Sequence, residues 1–196
     1  PAVFNILGNK HLHKNNFLFY SGSGMISKGL DIIIDAFLEL EDYNLYIATL
    51  YYESEFFDFY KEKMKNADNI KYLSNMESDS TDMMRTCNNC AFVISASCID
   101  GDPAAIMECL RYGLVPVITR ETDIDFKEAI FFEDFSISNV KKGIKKAINL
   151  NNEDYTDLSK KSYLSSLKNY SFNYTLAVEE AFCSSIIQKR TKTTSK

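Results

Sequence analysis

Apolar residues recur along this chain in two alternating patterns, short continuous runs and stripes of helical spacing. Residues 17–20 form an apolar and aromatic run that ends in the turn Gly22-Ser23-Gly24. After it, Leu30, Ile33, Ile34, Phe37 and Leu38 fall at i, i+3, i+4, i+7 and i+8, with Asp31, Asp35 and Glu39 facing away, which is the spacing of an amphipathic helix. The runs at 45–50 and 70–73 predict a second and a third strand, and a helix over 54–65 between them buries Phe56 or Phe57, Tyr60 and Met64. A polar loop and a short helix then lead to a fourth strand at 91–94. Runs at 114–119 and 129–132 predict the fifth and sixth. Val140, Ile144 and Ile148 mark a further helix with Lys141, Lys142, Lys145 and Lys146 outward. Short strands alternating with helices predict an α/β fold, a doubly wound parallel six-stranded sheet, and right-handed crossovers favour the strand order 3-2-1-4-5-6. Beyond residue 150 the pattern is helical only, with segments near 154–169 and 173–188. The expected division is therefore a lead-in over 1–16, an α/β domain over 17–150, C-terminal helices over 151–188 and a polar, basic, disordered tail over 189–196. No internal repeat is present.

Composition narrows the function classes. The chain has 196 residues, 45% hydrophobic and 25% charged, an ordinary globular balance with ample material for a core. A net charge of −5 and a pI near 5.1 argue against nucleic acid as a partner, because a phosphate-backbone footprint needs a basic face. No apolar run approaches the roughly 20 residues of a membrane span and no signal segment opens the chain, so a cytoplasmic setting is expected. The five cysteines fit reduced thiols better than a disulfide framework. The first residue is Pro1 and not Met, which points to a fragment or a processed chain.

The polar groups that could carry chemistry gather around the stretch from Cys90 to Thr119. A buried strand there breaks into a small polar loop, Asp102 can cap a helix and Pro103 can take its first position. The N–H groups of Ala104 and Ala105 then offer an anion site with no large side chain in the way. Ile106, Cys109 and Leu110 supply the buried stripe of that helix, and Gly113 ends it. Glu108 lies further along the same wall, placed to accept hydrogen bonds from hydroxyls attached to such an anion, as a ribose would provide. Alternatively Glu108 is an exposed helix residue paired at i, i+3 with Arg111, an arrangement worth roughly a few tenths of a kcal/mol. Lys28 stands where the first helix begins, after the turn SGSGMISKG, and is either a phosphate ligand or a solvated surface charge. The turn lacks the third glycine of a dinucleotide fingerprint, and Lys28-Gly29 reverses the Gly-Lys order of a phosphate-binding loop. Asp100-Gly101-Asp102 could hold a divalent ion against a diphosphate, but Asp102 is better used as the cap. Cys87 and Cys90 have C-x-x-C spacing at the end of a helix, where a redox motif would begin one. His11 and His13 lack a partner carboxylate, and no metal site is expected.

In order and spacing, these features resemble the C-terminal, nucleotide-binding half of the GT-B fold glycosyltransferases, in particular the large retaining family that includes bacterial polysaccharide and lipid glycosyltransferases. The resemblance covers residues 17–150. FLFYSGSGMISKGLDIIIDAF is similar to the family's first strand, glycine turn and Lys-Gly helix start, DGDPAAIME to its E-x7-E motif, and CLRYGLVPVIT to the helix end and strand that follow. The resemblance implies a Rossmann-like fold and a hexosyltransferase that takes a UDP-, GDP- or ADP-hexose donor, without an obligatory metal or other cofactor, and retains configuration. It implies catalytic roles for Lys28, on the donor diphosphate, and for Asp100, facing the sugar hydroxyls, and binding of the ribose by Glu108. Gly22, Ser23, Gly24, Ser74, Gly101, Ala104 and Ala105 complete the expected nucleotide-sugar site. The acceptor, a glycan or lipid in polysaccharide biosynthesis, would be held by an N-terminal domain preceding Pro1, so that this fragment alone is expected to be inactive; the whole enzyme could associate peripherally with a membrane. Two positions depart from the family: Ser23 stands where an arginine is usual, and Asp100 replaces a glutamate. A non-catalytic nucleotide or nucleotide-sugar module and an NAD(P)-dependent oxidoreductase domain are the alternatives.

Overall fold

In the computed structural model, which describes residues 10–78, 80–100 and 103–169, the first strand, β1 (Asn16–Ser21), lies at the centre of the sheet. It pairs in parallel with β2 (Asn44–Thr49) on one side and with β4 (Phe92–Ser95) on the other. With β3 (Ile70–Asn75), β5 (Val115–Ile118) and β6 (Ile130–Phe131) the order is β3-β2-β1-β4-β5-β6, all parallel, which is the expected doubly wound topology. Strand ends differ from the apolar runs by a residue or two because the ladder follows backbone hydrogen bonds and not side-chain polarity. Thus β1 begins at a polar residue, Asn16, whose side chain accepts from Asn44 Nδ2 at 2.8 Å across the strand pair.

Alternation along β1 divides the core into two layers. Phe17 and Phe19 face Leu30, Ile33, Ile34 and Phe37 of α1 (Leu30–Leu38) and the buried Phe56, Phe57 and Tyr60 of α2 (Ser54–Lys65). Leu18 and Tyr20 face the opposite layer, formed by Met83 and Cys87 of α3 (Thr81–Asn89) and by Ile106, Met107, Cys109 and Leu110 of α4 (Ala104–Arg111). Both phenylalanines of the α2 pair are buried, where the spacing alone left a choice between them.

The segments flanking the expected α/β unit pack onto it. A 3-10 turn over Lys10–His13, read from sequence as lead-in, buries Lys10, whose Nζ donates to the carbonyls of Cys87 and Cys90. The lysine satisfies carbonyl groups at the end of α3, and burial pushes its ammonium down to about 8 against the opposing influence of Cys87, Cys90 and Cys109. Burial also raises the thiols of Cys90 and Cys109, the reverse of what a redox or metal-binding thiol requires. All four described cysteines are free. At the other end, α6 (Asn152–Asn169) starts two residues before the expected position because the Asn151 side chain accepts from Asp154 N at 2.8 Å. Tyr155 Oη donates to Ala91 O at 3.0 Å and Ser159 Oγ to Gly113 O at 2.7 Å, which ties α6 to the chain just before β4 and β5. The expected second C-terminal helix at 173–188 and the tail lie outside the described residues.

Helix α5 (Ile137–Ile148) lies close to the sheet through Gly143, where an added Cβ would stand 2.5 Å from both Cδ1 and Cε1 of the buried Phe132. Gly143→Ala is expected to lower stability. Overpacking costs about 1–3 kcal/mol, more than the gain of about 1 kcal/mol in helix propensity. A chemical denaturation midpoint above that of the parent would contradict this account of α5 docking.

Candidate functional site

Parallel strands bring their carboxyl ends to one edge, and here the crossovers leaving β1 and β4 turn to opposite faces. The chain leaving β1 enters α1 in one layer and the chain leaving β4 enters α4 in the other. A crevice opens between them, as it does at such switch points generally. Its floor is fixed by backbone contacts. Ala96 N donates to Lys28 O at 3.1 Å and Cys98 N to Ser27 O at 3.0 Å, joining the chain after β4 to the turn before α1. That approach requires Gly29: its φ is +70°, and a Cβ would stand 2.3 Å from Ala96 O. Lys-Gly is therefore a geometric unit, in which the glycine admits the neighbouring chain and the lysine before it turns into the crevice.

The crevice encloses a cavity of about 430 Å³. Tyr20, Ser21, Gly22, Ser23 and Lys28 line it from the β1 side, Leu50 and Ser78 from beyond β2 and β3, and Ser95, Asp100, Pro103 to Ile106 and Glu108 from the β4 side. Lys28 Nζ meets Asp100 Oδ2 at 2.6 Å, with 23% and 11% of the two side chains exposed. Asp100 is held from behind by its N–H, which donates to Glu121 O at 3.1 Å.

Helix α4 points its N-terminus at the cavity. Pro103 occupies the N-cap, one position before the expected one, because its ψ of 61° is not helical, and its carbonyl accepts the first intrahelical bond from Met107 N at 3.0 Å. The amides of the first turn thus precede the intrahelical ladder and lie at the positive end of the helix dipole. Glu108 sits one turn further in. Its Oε2 accepts from Arg111 Nη1 at 2.9 Å, while its Oε1 is buried and has no hydrogen-bond partner among the described residues. The side chain is only 13% exposed and the residue lines the cavity, so the i, i+3 pair with Arg111 is present while the exposed position that went with it is not. A buried carboxylate oxygen left unpaired is costly and marks a place where a hydrogen-bond donor fits.

Of the residues expected at the site, Gly22, Ser23, Lys28, Asp100, Ala104, Ala105 and Glu108 come together on this one cavity. Gly24 does not line it: its N–H and that of Met25 donate to the Glu53 carboxylate, the latter at 3.3 Å. Ser74 belongs to β3, two strands from β1 in the sheet. Gly101 and Asp102 lie outside the described residues. Sequence reasoning missed the lining residues Tyr20, Ser21, Leu50, Ser78, Ser95, Pro103 and Ile106; the end of each apolar run was the available signal, since every strand delivers its last residues to the same edge. It also missed Glu53, whose carboxylate accepts from the amides of Gly24 and Met25 in the glycine turn.

No protein-family model matches the sequence, and no curated protein does. Solved structures with the same fold include a glycosyltransferase from Rickettsia africae ESF-5 (16% identity, TM-score 0.71, covering 87% of this chain and 48% of that one). Anabaena HepE in complex with UDP-glucose superposes at TM-score 0.68 with 15% identity, over 94% of this chain and 53% of HepE. WaaG, a glycosyltransferase involved in lipopolysaccharide biosynthesis, does so at 0.62 with 17% identity, over 92% and 50%. The fold is that of a GT-B glycosyltransferase domain. This GT-B domain spans about half the length of each of the three proteins. No helix among its described residues is long and apolar enough to cross a membrane.

Gly29→Ala tests whether the cavity depends on the approach of the two turns. A left-handed alanine costs roughly 1–2 kcal/mol, and the clash with Ala96 O adds to it. The variant is expected to denature at lower urea concentration, and in its folded fraction the Lys28 turn is expected to be displaced, seen as chemical-shift changes at Lys28, Ala96 and Cys98. Parent-like stability would show that this contact does not set the floor of the site.

Proposed function

We propose that this chain is the donor-binding, C-terminal domain of a glycosyltransferase that transfers a hexosyl group from a nucleotide-sugar to a glycan or lipid acceptor, with retention of configuration. The observation that carries the reading is one cavity lined together by Lys28, Asp100 and Glu108, with the N-terminus of α4 at its rim. A ribose hydroxyl donates to the Glu108 carboxylate. Lys28 and the first-turn amides of α4 meet the diphosphate, and Asp100 accepts from hydroxyls of the sugar. The structural neighbours in complex with UDP-glucose, or with UDP and glucose, support a nucleotide-sugar as the occupant. Retention and the missing acceptor domain follow from the family resemblance, and a domain that holds only the donor half binds nucleotide without turning it over.

One observation favours a second reading, a non-catalytic nucleotide-sugar module. Ser23 leaves Lys28 as the only basic residue among the described residues lining the cavity. Assay of the chain joined to its acceptor domain separates the two: a module binds the donor and releases no sugar.

Three outcomes are expected. UDP, GDP or ADP should raise the melting temperature, since a ligand that binds only the native state stabilises it, while NAD and NADP should not; equal stabilisation by NAD would move the domain to the oxidoreductase class. Glu108→Gln should weaken nucleoside diphosphate binding about tenfold or more, the scale of roughly 1.5–3 kcal/mol for hydrogen bonds to a charged group. Lys28→Ala should weaken diphosphate binding and leave the free nucleoside nearly unaffected. Calorimetric titration of both variants measures this, and unchanged affinity in Glu108→Gln would remove α4 as the ribose site.

A further inference from the structure

We infer that Asp100 is an internal counter-ion that occupies Lys28 while the site is empty, and that exchange of this partner makes the domain prefer an intact nucleotide-sugar over the nucleoside diphosphate left after transfer. The inference rests on the nucleotide-sugar reading of the cavity and adds a selection step to it.

Three observations support it. Lys28 and Asp100 are in contact at 2.6 Å, and both side chains are largely withdrawn from solvent, so the pair is less screened than a surface pair. Their meeting is built into the backbone, because the turn carrying Lys28 and the segment leading to Asp100 are joined by hydrogen bonds from Ala96 N to Lys28 O, from Cys98 N to Ser27 O and from Ser97 Oγ to Ser27 O, and Asp100 N is anchored on Glu121 O. Finally, the described cavity lining carries one cation against two carboxylates, Asp100 and Glu108. Its single positive side chain is already engaged before any ligand enters.

A diphosphate entering this site competes with Asp100 for Lys28. The ammonium has three donors and could touch both anions, but the carboxylate and the phosphate oxygens would then be held close together with like charge. Asp100 must turn away, and as an acceptor-only group it needs new donors. Sugar hydroxyls of the intact donor supply them; a nucleoside diphosphate without its sugar does not. The sugar thus repays the broken ion pair, and once it has left for the acceptor, Asp100 returns to Lys28 and weakens the hold on the remaining diphosphate. No covalent step is involved.

The test is calorimetric titration of the parent chain and of Asp100→Asn with UDP, UDP-glucose and uridine, and with the guanosine and adenosine counterparts in parallel. In the parent, the nucleotide-sugar of the series that binds should bind more tightly than its diphosphate. Asp100→Asn should bind the diphosphate about fivefold or more tightly than the parent does, lose most of the preference for the nucleotide-sugar, and leave the nucleoside unchanged. Asp100→Ser serves as a second uncharged variant, with melting temperatures recorded for both. A parent that binds a nucleoside diphosphate while neither variant binds it more tightly overturns the counter-ion role and leaves the nucleotide reading standing. Loss of the folded state in both variants makes the ion pair a structural element and overturns it equally. If no nucleotide of any series binds parent or variants, the nucleotide reading falls and this inference with it.

Discussion

The contact on which the site depends is the approach of the turn before α1 to the end of β4, with no room for a side chain at Gly29. A Cβ there would meet a backbone carbonyl at 2.3 Å, and a carbonyl fixed in the chain after a buried strand cannot move aside as the tip of a flexible side chain can. Because the two turns are joined by hydrogen bonds at Lys28 O and Ser27 O, the segment carrying Asp100 is placed relative to Lys28 by the backbone. The remainder of the crevice follows from the sheet order. Crossovers leaving β1 and β4 go to opposite layers, and the crevice opens between their first turns.

Charge is distributed unevenly around that gap. Glu108 holds Arg111, Asp100 holds Lys28, and Glu53 accepts from the amides of Gly24 and Met25 in the glycine turn. The glycine turn therefore has two of its amides already donated within the chain. What remains for an anion is Lys28, freed from its partner, and the first turn of α4. On the proposed nucleotide-sugar reading, recognition at this site is a matter of exchanging partners rather than filling an empty positive pocket, and the hydroxyl-bearing part of the ligand has as much to do as its phosphates.

Much of this was legible before folding. The i, i+3, i+4 stripe from Leu30 to Leu38 and the apolar runs gave α1 and the strands to within a residue or two, and right-handed crossovers favoured the strand order found. Lys28, Asp100 and Glu108 could be singled out because each stands just beyond a strand or one turn into a helix, where side chains reach the carboxyl edge. Lys10 shows the limit of that rule: it stands before β1 in a segment that reads as lead-in, and only the packing of that turn onto α3 reveals the carbonyls that bury it.

By itself the sequence determined what depends on local spacing and on rules of connection: the period of each element, the parallel sheet, its order, and the edge at which polar groups collect. These follow from backbone geometry and from the handedness of crossovers, which are the same in every chain. Tertiary structure decided what depends on distances between segments far apart in sequence. It set the Lys28 to Asp100 pair, joined across 72 positions of chain, the claim of Glu53 on the glycine turn, and the burial of one Glu108 oxygen while the other reaches Arg111. Such contacts are fixed by how layers pack to within fractions of an ångström, and no periodicity along the chain encodes that.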